Sequence, residues 1–186
     1  MAWRSGVVGA VVLSAACAST QATQMVNAVP AEPEPPEQVG GRTYVNQEFG
    51  FELTPPAGNW QLDANHEVSS EGVAVPVVLR NVDTGTQVVL QVAPKVASPM
   101  HFADRLNTGL RRQPGFFASD TEMLDTPKNA VGFHFEMGEA VQGKVAVFEA
   151  GKGRIFMMLA TWPKAMGEKA SGVEQILTSV RSLPRG

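Results

Sequence analysis

Apolar and polar positions divide the chain into three stretches of different rhythm. Gly6 to Ala16 is an unbroken run of eleven small and apolar residues behind a single positive charge at Arg4. From Ala18 to Gly41 there is no regular apolar period; Pro30, Pro33, Pro35 and Pro36 interleave with Glu32, Glu34 and Glu37, and Gly40-Gly41 closes the stretch. From Arg42 to Gly186 the pattern turns regular and predicts secondary structure.

In that third stretch, Tyr44 to Leu53 reads as one or two short strands ended by Pro55-Pro56. Val73–Val82 and Thr86–Val92 are β-branched runs joined through the turn signal Asp83-Thr84-Gly85. Pro76 places the first of them near a sheet edge, because proline has no N–H for the ladder. Ser98-Pro99 predicts a helix start, with serine as N-cap and proline in the first turn. Phe102, Leu106 and Leu110 then form one apolar stripe, and Pro114-Gly115 ends the helix. Gly132–Met137, Lys144–Glu149 and Arg154–Trp162 predict a meander, the last turn being Gly151-Lys152-Gly153. In its last strand Ile155, Met157 and Leu159 face one way and Phe156, Met158, Ala160 and Trp162 the other, so both sides need cover. A closing helix over Lys169 to Ser182 is expected from the capping-box pattern Ser171-Gly172-Val173-Glu174 and the stripe Val173, Ile176, Leu177, Val180. The expected fold class is α+β: a largely antiparallel sheet of about six strands flanked by helices on both faces, in three layers.

Composition narrows the function more than the fold. The chain has 186 residues, one cysteine and a formal net charge of −3. One thiol excludes an internal disulfide framework and a Cys-rich zinc site. A pI near 5.6 lacks the basic excess that nucleic-acid binding shows. Arg4 and the three glutamates of the second stretch account for most of the imbalance, leaving Arg42–Gly186 close to neutral. The apolar run is too short for a membrane-spanning helix, which needs about 20 residues, but fits the roughly 7–15 residues of a secretory h-region. Small residues follow at Ser14-Ala15-Ala16, as cleavage requires. The expected organisation is therefore a signal peptide over 1–16, a Pro/Glu-rich tether over 17–41 that begins with Cys17, and a folded domain over 42–186. Such a tether spans on the order of 80 Å fully extended and about 25–30 Å as a flexible coil.

Two resemblances attach to these residues. Leu13-Ser14-Ala15-Ala16-Cys17 resembles the lipobox of bacterial lipoproteins, although Ser14 stands where that family usually has leucine. The resemblance implies lipidation of Cys17, with several acyl chains giving stable anchoring where one gives only marginal binding. Ala18 is not aspartate, which in Gram-negative lipoproteins implies the outer membrane, facing the periplasm. Within the domain, Tyr44 with Asn46, Phe49-Gly50-Phe51, Pro55-Pro56, Gly58-Asn59-Trp60 and the closing Ile176-Leu177-Thr178-Ser179-Val180 resemble PsbP-like and DcrB-like domains. That group implies a binding module rather than one reaction, and fold transfers function poorly.

Candidate chemistry is sparse. Gly138-Glu139-Ala140-Val141-Gln142-Gly143-Lys144 has phosphate-loop spacing, but Val145 follows where Ser or Thr belongs, and a strand follows instead of a helix. His134 and Glu136 share one strand face and would start a metal site only if His66 or His101 converged on them. Arg105, Arg111 and Arg112 form a basic helix face diluted by Asp104. Trp60 belongs to the core or lines a groove. The sequence holds no Gly-x-Ser-x-Gly elbow, no His-Glu-x-x-His and no glycosidase-like carboxylate pair. The expectation is an envelope-anchored, non-enzymatic binding or assembly module without cofactor or metal. It would meet the membrane through its anchor, and an envelope protein partner rather than nucleic acid. The alternative is a periplasmic or secreted hydrolase whose residues are scattered across the sheet.

Overall fold

A computed structural model describes residues 36–64, 68–126, 128–151 and 153–183. The expected signal peptide, Cys17, most of the tether, His66 and Lys152 lie outside the described residues.

The chain opens with β1 (Glu37–Gln38), β2 (Tyr44–Asn46), β3 (Phe51–Leu53) and β4 (Trp60–Ala64), then the hairpin β5 (Ala74–Asn81) and β6 (Gln87–Pro94). Helix α1 (Pro99–Leu110) leads to the short strands β7 (Phe116–Ala118) and β8 (Glu122–Met123). The meander β9 (Val131–Met137), β10 (Val141–Ala150) and β11 (Arg154–Pro163) follows, then α2 (Glu168–Ser171), α3 (Val173–Ser179) and β12 (Arg181–Ser182). Nine strands form one antiparallel sheet in the order β1-β4-β5-β6-β11-β10-β9-β7, with β8 also paired to β9. A second sheet of three strands runs β12-β3-β2. Glu37 and Gln38 pair with Leu62 and Gln61, and Val39 is buried, so the ordered sheet starts before Arg42.

This corrects the expected fold class. The described residues are mostly β, with only three short helices, and are not a six-strand sheet between helical layers. Two physical reasons account for the difference. Strands of two or three residues, such as β1, β7, β8 and β12, are too short to carry a readable alternation. The closing helix is also broken. Gly172, at φ +75°, ends α2 and starts α3, and a Cβ there would lie 2.9 Å from Pro56 Cγ and 3.3 Å from Trp60 Cζ2. Left-handed backbone and the close approach of Pro56 both demand glycine. The expected capping box therefore does not form: the Ser171 hydroxyl donates to Glu168 O and accepts from Val173 N, and Glu174 turns elsewhere.

Pro76 is a second correction, because β5 is an interior strand. Its pairing with β4 ends at Ala64↔Val77, and its register with β6 shifts between Ala74 and Val77. Proline sits in that irregularity, where the ladder makes no demand on its missing N–H.

β11 is buried on both sides. On one face Ile155 packs with Phe133, Phe135, Val145 and Val147 beneath Phe102, Leu106 and Leu110 of α1. Helix α1 starts as its sequence requires: Ser98 Oγ accepts from His101 N at 3.2 Å with Pro99 in the first turn. On the other face Phe156 meets Phe51 and Phe148 edge-on, at ring-centroid distances of 5.4 and 5.8 Å. There the cover comes from the second sheet together with Val173, Ile176 and Leu177 of α3. Trp60 belongs to this larger core at 1% exposure.

Candidate functional site

Alternate residues of a strand share a face, and cross-strand register then decides which side chains become neighbours. Lys144 pairs with His134 and with Ala160, and Gln142 pairs with Glu136 and with Trp162. These six residues lie on the face that carries Phe148 and Phe156 further along β10 and β11. At the Phe156 end the face is apolar and covered; at the Trp162 end it turns polar.

The border is an ion cluster. Lys144 is only 6% exposed, and its ammonium donates to Glu168 Oε1 of α2 at 2.8 Å and to Glu174 Oε1 of α3. Burial pulls the Lys144 pKa down, but the hydrogen bonds and charges of Glu168 and Glu174 outweigh it and hold the pKa above the ordinary lysine value. Burial likewise pushes Glu168 up, yet its bonds with Lys144 and Glu174 and the nearby charges of Lys144 and His134 leave it below the ordinary glutamate value. Outside this border Glu136 pairs with Lys164, and His134 Nδ1 stands 3.7 Å from Glu168 Oε2.

Beyond Glu168 lies an open groove of about 310 Å³, lined by Phe117, Ser119, His134, Gln142 and Trp162 among others. Phe117 of β7 is 69% exposed at this groove. Trp162 is 2% exposed, and its indole Nε1 is buried without a hydrogen-bond partner. Opposite it on β10, Gln142 donates to Lys164 O at 3.5 Å, at the long limit of a hydrogen bond.

Ser119, His134 and Glu168, three residue types of a hydrolytic triad, thus line one groove. Their bonds do not form one. The Ser119 hydroxyl donates to Asp120 O and accepts from the backbone N–H of His134, both at 3.1 Å, and the His134–Glu168 separation exceeds a hydrogen bond.

Of the residues singled out from sequence, His134 and Glu136 do share a face, but His101 lies on α1 and His66 outside the described residues. The described residues contain no group of three or more His, Cys, Asp or Glu placed to hold a metal ion. The phosphate-loop spacing spans the β9–β10 turn: Gly138, at φ +62°, belongs to the turn, and Gly143 makes room for the Phe135 ring. Arg111 bonds Asp120 and Ala118 O, capping the outer edge of β7, while Arg105 and Arg112 flank a separate shallow hollow on α1 with His101 and Asp104. Sequence reading missed Lys144, Glu168, Glu174 and Trp162 as a group. The one signal was Lys144 itself, a charge inside an otherwise apolar alternation.

No protein-family model matches the sequence, and no curated protein matches it. Among solved structures, the chain is similar to the solution structure of cyanobacterial PsbP (CyanoP) from Synechocystis sp. PCC 6803, at 12% identity and a TM-score of 0.49, covering 76% of this chain and 91% of that one. It is also similar to the crystal structure of LpqN, involved in cell envelope biogenesis of Mycobacterium tuberculosis, at 12% identity and a TM-score of 0.39, covering 76% and 98%. Neither likeness transfers a function or a residue role to this chain. No helix among the described residues is long and apolar enough to cross a membrane.

Proposed function

We propose that this chain is an envelope lipoprotein, anchored through lipid on Cys17, whose folded domain is a non-enzymatic binding module with the β7–β9 groove as its binding face. The observation that carries the reading is the groove's chemistry. Its carboxylates are already paired, Glu136 with Lys164 and Glu168 with Lys144, while the Phe117 ring is exposed beside them and the buried Trp162 indole N–H has no partner. Exposed aromatics beside polar groups favour contact over catalysis. Cys17 follows an apolar run of h-region length, which supports the anchor.

Co-purification from solubilised membranes tests the binding reading. A partner retained by the wild-type chain and lost with Phe117→Ala is expected. Hydrolysis of model esters or peptides that disappears with Ser119→Ala would replace it with the hydrolase reading. The anchor is tested separately. Cys17→Ser should move the protein out of the detergent phase, and a cleaved, unmodified N-terminus elsewhere than Cys17 would refute lipidation.

A further inference from the structure

Resting on the reading of the groove as the binding face, we propose that it takes one ring of a neutral saccharide. Three observations select that class. First, the carboxylates of the groove are each held by a lysine, Glu136 by Lys164 and Glu168 by Lys144, so an anion meets no free cation there and a cation must compete with a lysine already in place. An ionic ligand would have to break Glu136–Lys164 or Lys144–Glu168 and leave a charge without its partner. Second, residues with directional polar groups, Gln142, His134 and Ser119, line about 310 Å³, with Trp162 among them. That volume is at the small end of the roughly 300–1,000 Å³ of small-molecule sites, suited to one ring rather than a chain.

Third, Trp162 Nε1 is a donor only, and in this structure it has no acceptor. A buried donor left unmade costs about 1–3 kcal/mol, so whatever supplies an oxygen there is favoured. Gln142, directly across from Trp162, donates one long bond to Lys164 O, a weak hold on that amide; the proposed ligand reaches the buried indole by displacing it. A ring hydroxyl can accept from the indole while other hydroxyls meet Gln142 and His134. Phe117, 69% exposed, offers a flat apolar surface to the C–H face of the same ring. A purely apolar ligand would leave the polar groups unpaired.

The test is an NMR titration of the full ¹⁵N-labelled chain in detergent micelles with N-acetylglucosamine and, separately, with maltose. The Trp162 indole N–H and the amides of Phe117, Ser119 and Gln142 are expected to shift saturably, with a Kd of about 1 mM. The indole of Trp60, deep in the core, serves as the unmoved reference. Phe117→Ala should weaken binding about tenfold without loss of the folded spectrum. Trp162→Phe should weaken it comparably, now read from the amides. If neither sugar moves these resonances, or if both variants bind as wild type does, the saccharide proposal is wrong. A membrane partner that still co-purifies in a Phe117-dependent way would then leave the binding-module reading standing. Loss of both results removes the two together.

Discussion

The two ends of one sheet face invite comparison, because β10 and β11 run through both. At one end Phe148 and Phe156 point into a core closed by Phe51 of the small sheet and by α3. At the other end the same alternation delivers Gln142, Lys144 and Trp162, and the covering elements stop at the ion cluster of Glu168 and Glu174. The lesson is that one strand pair can run from a sealed apolar core to an open polar groove, with Lys144 as the residue where one gives way to the other.

The comparison breaks most easily at the closed end. Phe156→Ala removes a ring that is almost wholly buried among Phe51, Phe148 and the α3 side chains. The expected loss is about 4 kcal/mol, from transfer and cavity terms together, read as a lower urea midpoint at unchanged slope. A loss under about 1 kcal/mol would mean that this end is as loosely packed as the groove.

At the border, Lys144→Met should cost about 2 kcal/mol. It leaves Glu168 and Glu174 facing one another without their cation, which for a fully buried pair would cost about 3–5 kcal/mol. The glutamates are 30% and 44% exposed and recover hydration, so the figure is reduced. Adding Glu168→Gln to Lys144→Met should return part of the loss; two independent, additive effects would refute the coupling.

The same cluster sets a pH dependence. Glu168 has its folded-state pKa below the ordinary 4.5, so its contribution is complete above that value and disappears as pH falls through the lowered one. Lys144 has its pKa above 10.5, so its contribution is complete below that and is lost only as pH rises through the raised value. The stability difference between wild type and Lys144→Met should therefore be flat between these limits and narrow on acidification below 4.5. Denaturation series at several pH values measure it, and a gap that widens in acid would reverse the assignment.

How much of this was legible in the sequence follows from what each signal measures. Long alternating runs gave β5, β6, β9, β10 and β11, and Ser98-Pro99 marked α1 correctly, since both signals are local. Tyr44 to Leu53 was readable as short strands and became β2 and β3, but their third partner was not: β12 lies where the closing helix was expected to end, and it is held by the distant pairing of Arg181 with Glu52. Gly172 looked like the interior of a capping box; only the approach of Pro56 and Trp60 from the other end of the domain makes it a break. The site was partly visible as His134 and Glu136 on one face. Its remaining members are joined by register and by the docking of α2 and α3, which no spacing in the sequence records.

The smallest expected effect falls at the groove itself. Phe117 is largely exposed at the end of the sheet, and the outer edge of β7 is already occupied by Arg111 on Ala118 O. Replacing Phe117 with serine removes little buried area, so stability should change by less than about 0.5 kcal/mol. The pairing of β7 with β9 rests on backbone bonds that serine keeps. A ring so exposed adds little to folding, which is what the proposed binding role requires of it. Thermal or urea denaturation decides the point: a loss above about 1 kcal/mol would assign Phe117 to the fold, and the contrast between a closed end that stabilises and an open end that binds would fail.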